Sequence, residues 1–469
     1  MPTDIFGEAV PKGERSPRKS SRDKDAVTRD DWIAAVAAHP AVYELARLIS
    51  PHTPKNVGRP GHYPPYVYVI FNALTMVFGS ARSTAAHLQC GEIWGRVREG
   101  VAANLGKQEA DALPACGPTR HHWLYNRTRL LLPRLADLLE AHRALAVRQA
   151  EAQGLLDPGA PKNWSNPMRQ QLIVGDGTVV KAPTAATAAE TVDTTTGEIK
   201  RHRFDPGSGL HAESGDKTMV WGPKFVLFSA RGDDYRDRVI LEARHQPAGQ
   251  EGGEARVALD GLRELFREAR GALGTVWDGA FRGVHRDEIA RQGKLVVNKQ
   301  HGTCGPRRLV PYLGSKCRHD LWAVDGRVAE RRTTEDGTSE NIQLPVVKLE
   351  QRPSVNDCRW YHLLRIPCRH GDHKVRIRVA TNASDEDLGQ INRPEWLRQI
   401  PPGTRAFQKL AGYRADAEST NASLDRRLWN GRMIAYGAPR QTLVMLGFVM
   451  AENAASRALH RRRSGSSAG

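Results

Sequence analysis

The 469-residue chain carries 69 Lys+Arg against 52 Asp+Glu, a formal net charge of +17, and 40% of its residues are hydrophobic. That apolar share builds real cores, so wholesale disorder is excluded, and the length calls for more than one domain. The surplus points to a polyanion, nucleic acid first and an anionic membrane surface second. Arg accounts for 53 of the basic residues. Arg forks suit phosphates and base edges, although codon usage in a GC-rich genome would raise the same count.

The opening segment MPTDIFGEAVPKGERSPRKSSRDKD has no apolar core of signal-peptide length. The longest apolar run, Val67 to Phe78, is interrupted by Asn72 and Thr75, and a membrane span needs roughly 20 residues. A cytoplasmic protein with no membrane partner is expected. Six cysteines (Cys90, Cys116, Cys304, Cys317, Cys358, Cys368) are too few for a disulfide scaffold at this length.

In chain order, residues 1–30 read as a basic, disordered arm. Residues 31–160 read as a helical DNA-binding domain, with periodic apolar stretches at Asp31–Ser50, Pro65–Phe78, Ser83–Glu99 and Thr119–Ala150. The segment Cys116–Arg134 holds Arg120, Arg127, Arg129, His121 and His122 and no acid, the composition a helix-turn-helix recognition helix needs. A solvated helix face has the same composition.

From Gln170 the texture changes. Gln171–Ala182, Lys224–Ala230 and Arg238–Arg244 are β-branched runs; Glu254–Arg270 is helical; Gly274–Phe281 is a fourth strand, Val284–Gln292 a short helix and Lys294–Asn298 a fifth strand. A β-β-β-α-β-α-β order predicts a mixed sheet covered by helices, the ribonuclease-H-like arrangement, over 161–300. Residues 301–390, with short alternating strands, read as a β-rich insertion. The catalytic domain resumes over 391–458, and 459–469 is a basic tail. The expected class is mixed α/β, preceded by an all-α domain.

Two aspartates stand in apolar strands and are each followed by glycine: Asp176 in LIVGDGTVV and Asp278 in TVWDGAF. Aspartate is poor in strands and costly to bury unpaired, a cost that a metal ion offsets. In the expected sheet the first and fourth strands are neighbours, so the two carboxylates converge. A third acid is sought on a helix, where Arg414, Glu418, Asn421 and Asp425 share one face, with Arg426 beside it. A surface salt-bridge face is the plain alternative.

These residues resemble the DDE transposases of bacterial insertion sequences. The match lies in Asp176 of a GDGT strand, Asp278 of a WDGAF strand, and Tyr413, Arg414 and Glu418 of a Tyr/Arg/Glu/Lys helix. Tyr413 adjoins the Arg, and Asp425 stands where the family carries Lys. The long gap between Asp278 and Glu418 is similar to the subclass with a β insertion there.

The resemblance implies Mg²⁺ or Mn²⁺ held by Asp176, Asp278 and Glu418, with Asp176 shared between two ions. It implies cleavage at transposon terminal inverted repeats and joining to target DNA. It further implies a homodimer on double-stranded DNA and a nucleoid-associated bacterial protein. Trp360 or Trp322 would stack a flipped base. Arg282 and Lys299, after the fourth and fifth strands, would contact phosphates, as would Arg414, Asn421 and Arg426. A catalytically inactive DNA-binding descendant and a metal nuclease of the same fold are the alternatives.

Cys358, Cys368, His370 and His373 form C-x9-C-x-H-x2-H, a wider spacing than structural zinc sites use, and read as free thiols and polar histidines. No Walker-type phosphate loop or HExxH occurs, so neither ATP hydrolysis nor zinc-protease chemistry finds support.

Overall fold

The computed structural model describes residues 4–8, 27–49, 62–213, 218–234, 236–300, 304–309, 311–334, 336–355, 357–380 and 392–466. The basic run Lys12–Lys24 and the turn at 51–61 lie outside the described residues. Helices α1 (Arg29–Ala37), α2 (Pro40–Arg47), α3 (Pro65–Phe78), α4 (Ala81–Leu88), α5 (Gly91–Leu105), α6 (Lys107–Asp111), α7 (Arg120–Asn126) and α8 (Leu135–Ala152) come first. Then follow β1 (Leu172–Val179), β2 (Lys224–Arg231), β3 (Arg238–Gln246), α9 (Gly253–Glu268), β4 (Gly274–Val276), α10 (Gly283–Arg291) and β5 (Leu295–Val297). Contacts divide this mixed α/β chain into two compact units: a helical unit (21–155, 176–257, 417–469) and an insertion-bearing unit (1–20, 156–175, 258–416).

In the helical unit, α1 starts on a capping box in which Thr28 and Asp31 satisfy each other's backbone amides. α3 starts on Pro65 and ends at Gly79, whose φ of +80° is left-handed. Its apolar run is buried nearly all round. It packs on the long C-terminal helix Ala438–Ser466, to which the Asn72 amide donates a 2.8 Å bond at Leu443 O. Gly447 permits that crossing, since a Cβ there would stand 2.6 Å from Asn72 O. The same core takes in Val180, Phe225, Leu227, Ile240 and Ala243. The helices expected as a separate domain at 31–160 therefore share their core with strands and with the C-terminal helix. A helix with no polar face needs cover on every side. Among the described residues no helix is long and apolar enough to cross a membrane.

The expected helix Thr119–Ala150 is interrupted. α7 stops at Asn126, Arg127–Leu131 forms a π-turn, Leu132–Arg134 a 3-10 turn, and α8 begins after it. Pro133 has no N–H to give and its ring crowds the preceding turn.

A buried polar network ties α2 and α8 to the C-terminal helix. His39 Nδ1 accepts from Ala41 N at 3.1 Å, capping α2, and its Nε2 meets Gln149 Oε1 at 3.0 Å. Gln149 in turn donates to Gln153 Oε1 and Asn453 O, each at 2.8 Å. Burial holds the His39 imidazole down at about 4 and that of His142 at about 3. The unfolded chain protonates both near pH 6.5 while the folded chain does not, so stability falls as pH drops below that value. We expect a loss of about 1.4 kcal/mol per histidine at pH 5.5. Urea melts at pH 7.5 and 5.5 check this, and equal midpoints would refute it.

In the insertion-bearing unit, β1 and β4 run parallel with Leu172, Ile173 and Val174 opposite Gly274, Thr275 and Val276, and β4 pairs in parallel with β5. In the helical unit, β2 and β3 pair antiparallel. The fourth strand is shorter than expected, ending at Val276, so Asp278 stands in the turn after it.

The insertion is β-rich as expected. Strands β6 (Tyr312–Leu313), β7 (Arg318–Val324), β8 (Arg327–Thr333) and β9 (Ser339–Gln343) join the short strand Arg307–Arg308 in one sheet, and β10 (Val346–Pro353), β11 (Cys358–Ile366) and β12 (His373–Arg378) form another. Residues 4–8, expected within the disordered arm, pack here. Phe6 is buried with its ring 5.6 Å from that of His362, and Ile5 N donates to Val346 O.

Candidate active site and nucleic-acid interface

The helical unit brings an acid to Asp176 that the sequence reading passed over. Asp176 is half-buried in β1 and accepts from Asn421 Nδ2 at 3.2 Å. Glu254, in the first turn of α9, presents a carboxylate oxygen within 4.8 Å of one on Asp176. Gly177 makes room for it, since a Cβ there would stand 2.2 Å from Glu254 Oε2. The glycine after the aspartate thus admits a second carboxylate. Lys224 Nζ pairs with Glu254 Oε2 at 2.9 Å, while Glu254 Oε1 is buried with no hydrogen-bond partner among the described residues.

The helix beside Asp176 is α11 (Ala415–Arg427), preceded by a 3-10 turn, Gly412–Arg414. Arg414 therefore precedes the helix and does not lie on its face. Asn421, expected at DNA, is the hydrogen-bond donor to Asp176, and Glu418, three residues before it, is exposed. Burial raises the Asp425 carboxyl above its usual range, against the charges of Lys181 and Arg426. Arg426 is exposed. Arg427 instead lies over the Trp32 ring at 3.8 Å and pairs with Glu452 at 3.5 Å.

In the insertion-bearing unit, the Val174–Val276 pair is the last in the β1–β4 register, and each strand reaches its aspartate two residues later in sequence. Asp278 Oδ1 accepts from Ala280 N at 2.8 Å, an Asx turn that fixes the carboxylate. Asn298 Nδ2 donates to Asp278 O at 3.2 Å. Arg282, expected at a phosphate, is instead paired with Glu395 at 3.1 Å. Lys299 is exposed after β5. Trp360 is no stacking platform. It is 0% exposed, its indole N–H donates to Ala290 O at 2.9 Å, and Trp164 meets it edge-on at 5.2 Å. The Trp322 face is covered by the Arg331 guanidinium, 3.4 Å from the ring centroid.

The acid-free segment Cys116–Arg134 contributes to a basic cavity in the helical unit. Arg82, Arg120, Arg127 and Arg440 line a cavity of ≈ 210 Å³ with Asn72 and Thr75 at its wall and no acid among its lining residues. Burial, then the Arg440 and Arg120 charges, lower the Arg127 guanidinium below its usual value. Such a cluster is poised for an anion. Arg129 lies outside it, over the Tyr125 ring at 5.0 Å.

The chain matches no family model, and comparison with curated proteins gives no match either.

Proposed function

We propose that this chain is a DNA transposase of the DDE type, which binds terminal inverted repeats, cuts at their ends by metal-dependent phosphoryl transfer and joins them to target DNA. The observation that carries the reading is the parallel β1–β4 register, with an aspartate two residues along the sequence from each member of its last pair. The parallel β1–β4–β5 pairing, with the antiparallel β2–β3 hairpin, supports a ribonuclease-H-like catalytic domain.

The donor set suits a hard divalent cation: carboxylates of Asp176 and Glu254 close together, and a buried Glu254 oxygen without a partner. Asp176 and Glu254 would hold Mg²⁺ or Mn²⁺, with exposed Glu418 supplied from α11. Bound there, the ion polarises a phosphodiester and acidifies the attacking water or 3′-hydroxyl. The protein's own part is positioning. Asn421 orients the Asp176 carboxylate, the Asx turn orients Asp278, and Lys224 balances the charge of Glu254. The Lys224–Glu254 pair also favours a second reading, a DNA-binding descendant in which a lysine stands in for the metal.

The test is a duplex bearing the terminal repeats that flank the gene, incubated with the protein and Mg²⁺ or Mn²⁺. Strand breaks at the repeat ends leaving 3′-hydroxyls, which then join to target DNA, are the expected result. Binding without breaks under both ions would select the second reading. For the basic cavity, Arg120→Ala is expected to weaken end binding and lower the salt slope by about 0.9, the release of one phosphate contact. An unchanged slope would place the DNA elsewhere.

A further inference from the structure

The insertion holds a second cluster, apart from the acids above. Cys317, His319, Cys368 and His373 each offer one ligand atom, and all four atoms lie within 4.8 Å of one another. They come from two hairpins in two different sheets. Cys317 and His319 sit where the β6–β7 turn enters β7, with Tyr312 paired to His319. Cys368 lies in the β11–β12 turn and His373 opens β12 opposite Ile366. The spacing Cys-x-His and Cys-x4-His departs from the C-x9-C-x-H-x2-H run read in sequence. Cys358 is buried elsewhere, 3.6 Å from where a Cβ on Gly293 would stand. His370 is exposed and gives its backbone amide to Cys368 Sγ at 3.5 Å.

Three observations point to a ligand. His319 is only 6% exposed, and its Nε2 is buried with no hydrogen-bond partner among the described residues. Its Nδ1 is bound by the buried Glu330 carboxylate at 2.5 Å, the carboxylate–histidine arrangement that fixes a ligating imidazole. Cys317 Sγ already meets His373 Nε2 at 3.1 Å. Gly314 spares this thiol a clash, because a Cβ there would stand 2.7 Å from Sγ. Two thiols and two imidazoles are a borderline-soft set, suited to tetrahedral Zn²⁺, whose S and N ligands lie about 3.3–3.8 Å apart.

We propose that Cys317, His319, Cys368 and His373 bind one structural Zn²⁺ that staples the two sheets of the insertion together. Binding displaces the proton of each thiol to solvent, and the two thiolates neutralise the ion. With four protein ligands no position is left for substrate, so the ion holds structure.

The full-length protein is purified without chelator, dialysed against metal-free buffer and assayed for zinc by mass spectrometry. About one zinc per chain is expected. Cys317→Ser and Cys368→Ser each lose it, whereas Cys358→Ser and His370→Ala keep it. Glu330→Gln, which removes no ligand, is expected to weaken zinc affinity about 10–100-fold. Should the cysteine variants fail to fold, Co²⁺ added to zinc-stripped wild-type protein still decides the matter. A near-ultraviolet sulfur-to-cobalt band with tetrahedral visible bands supports the site, and carboxylates alone give no sulfur band. Wild-type protein with neither zinc nor a sulfur band, a Cys317–Cys368 disulfide in it, or zinc retained in both cysteine variants would overturn the proposal.

Discussion

Asp176→Ala is expected to lower Mg²⁺-dependent strand cleavage by about 10³-fold or more while leaving end binding within about twofold. A metal-bound carboxylate contributes several kcal/mol to the transition state, and each 1.36 kcal/mol is tenfold in rate. The side chain is half-buried beside Asn421 and Glu254, so its removal opens little core. Glu254→Gln in the same assay should raise the Mg²⁺ concentration needed for half-maximal cleavage, because it keeps the shape and removes the charge. Gel-based cleavage and binding assays on one preparation separate the two effects. Full cleavage by Asp176→Ala would sink the mechanism, and an unaltered Mg²⁺ requirement in Glu254→Gln would reduce that residue to a partner of Lys224.

Trp360→Ala is expected to destabilise the insertion-bearing unit by about 3–5 kcal/mol. The ring is fully buried against Trp164, and its N–H satisfies Ala290 O at the end of α10. Truncation leaves both a cavity and an unpaired buried carbonyl. Trp360→Phe should fall between, since it fills much of the space and still loses the hydrogen bond. Denaturant melts measure both. Wild-type stability with defective handling of the DNA end would mean that the ring leaves its pocket and stacks on a base.

The strand order was legible because β-branched runs are local, and the two aspartates stood out because charge is rare inside such runs. Asp176 and Asp278 depend on one pairing, between the first and fourth strands, which the topology rule supplies. Glu254 was not legible. It opens the helix read over Glu254–Arg270, which gives no sign of a partner, and what brings it to Asp176 is the missing side chain of Gly177. Trp360 could have been placed correctly. β11 alternates buried and half-buried positions, so Cys358, Trp360, His362, Leu364 and Ile366 share the inner face. The Cys317 cluster escaped because its halves lie on hairpins about fifty residues apart in sequence, a separation that the 56-residue span of the Cys317–His373 contact makes plain. The apolar repeat ran through Pro133 as one stretch, Thr119–Ala150, because a π-turn leaves no signature in such a repeat.

The bond from the Asn72 amide to Leu443 O joins residues 371 positions apart. A ribosome adding about 5–20 residues per second makes the partner of α3 roughly 20–70 seconds after α3 itself. Through that interval α3, the most apolar helix among the described residues, is covered by α1, α2 and α4 but not on the face that the C-terminal helix takes, and the nascent protein depends on chaperones or on provisional burial to stay out of aggregates. The helical unit can therefore close only once Ala438–Ser466 has been made, so its appearance in the cell is timed by translation of that helix.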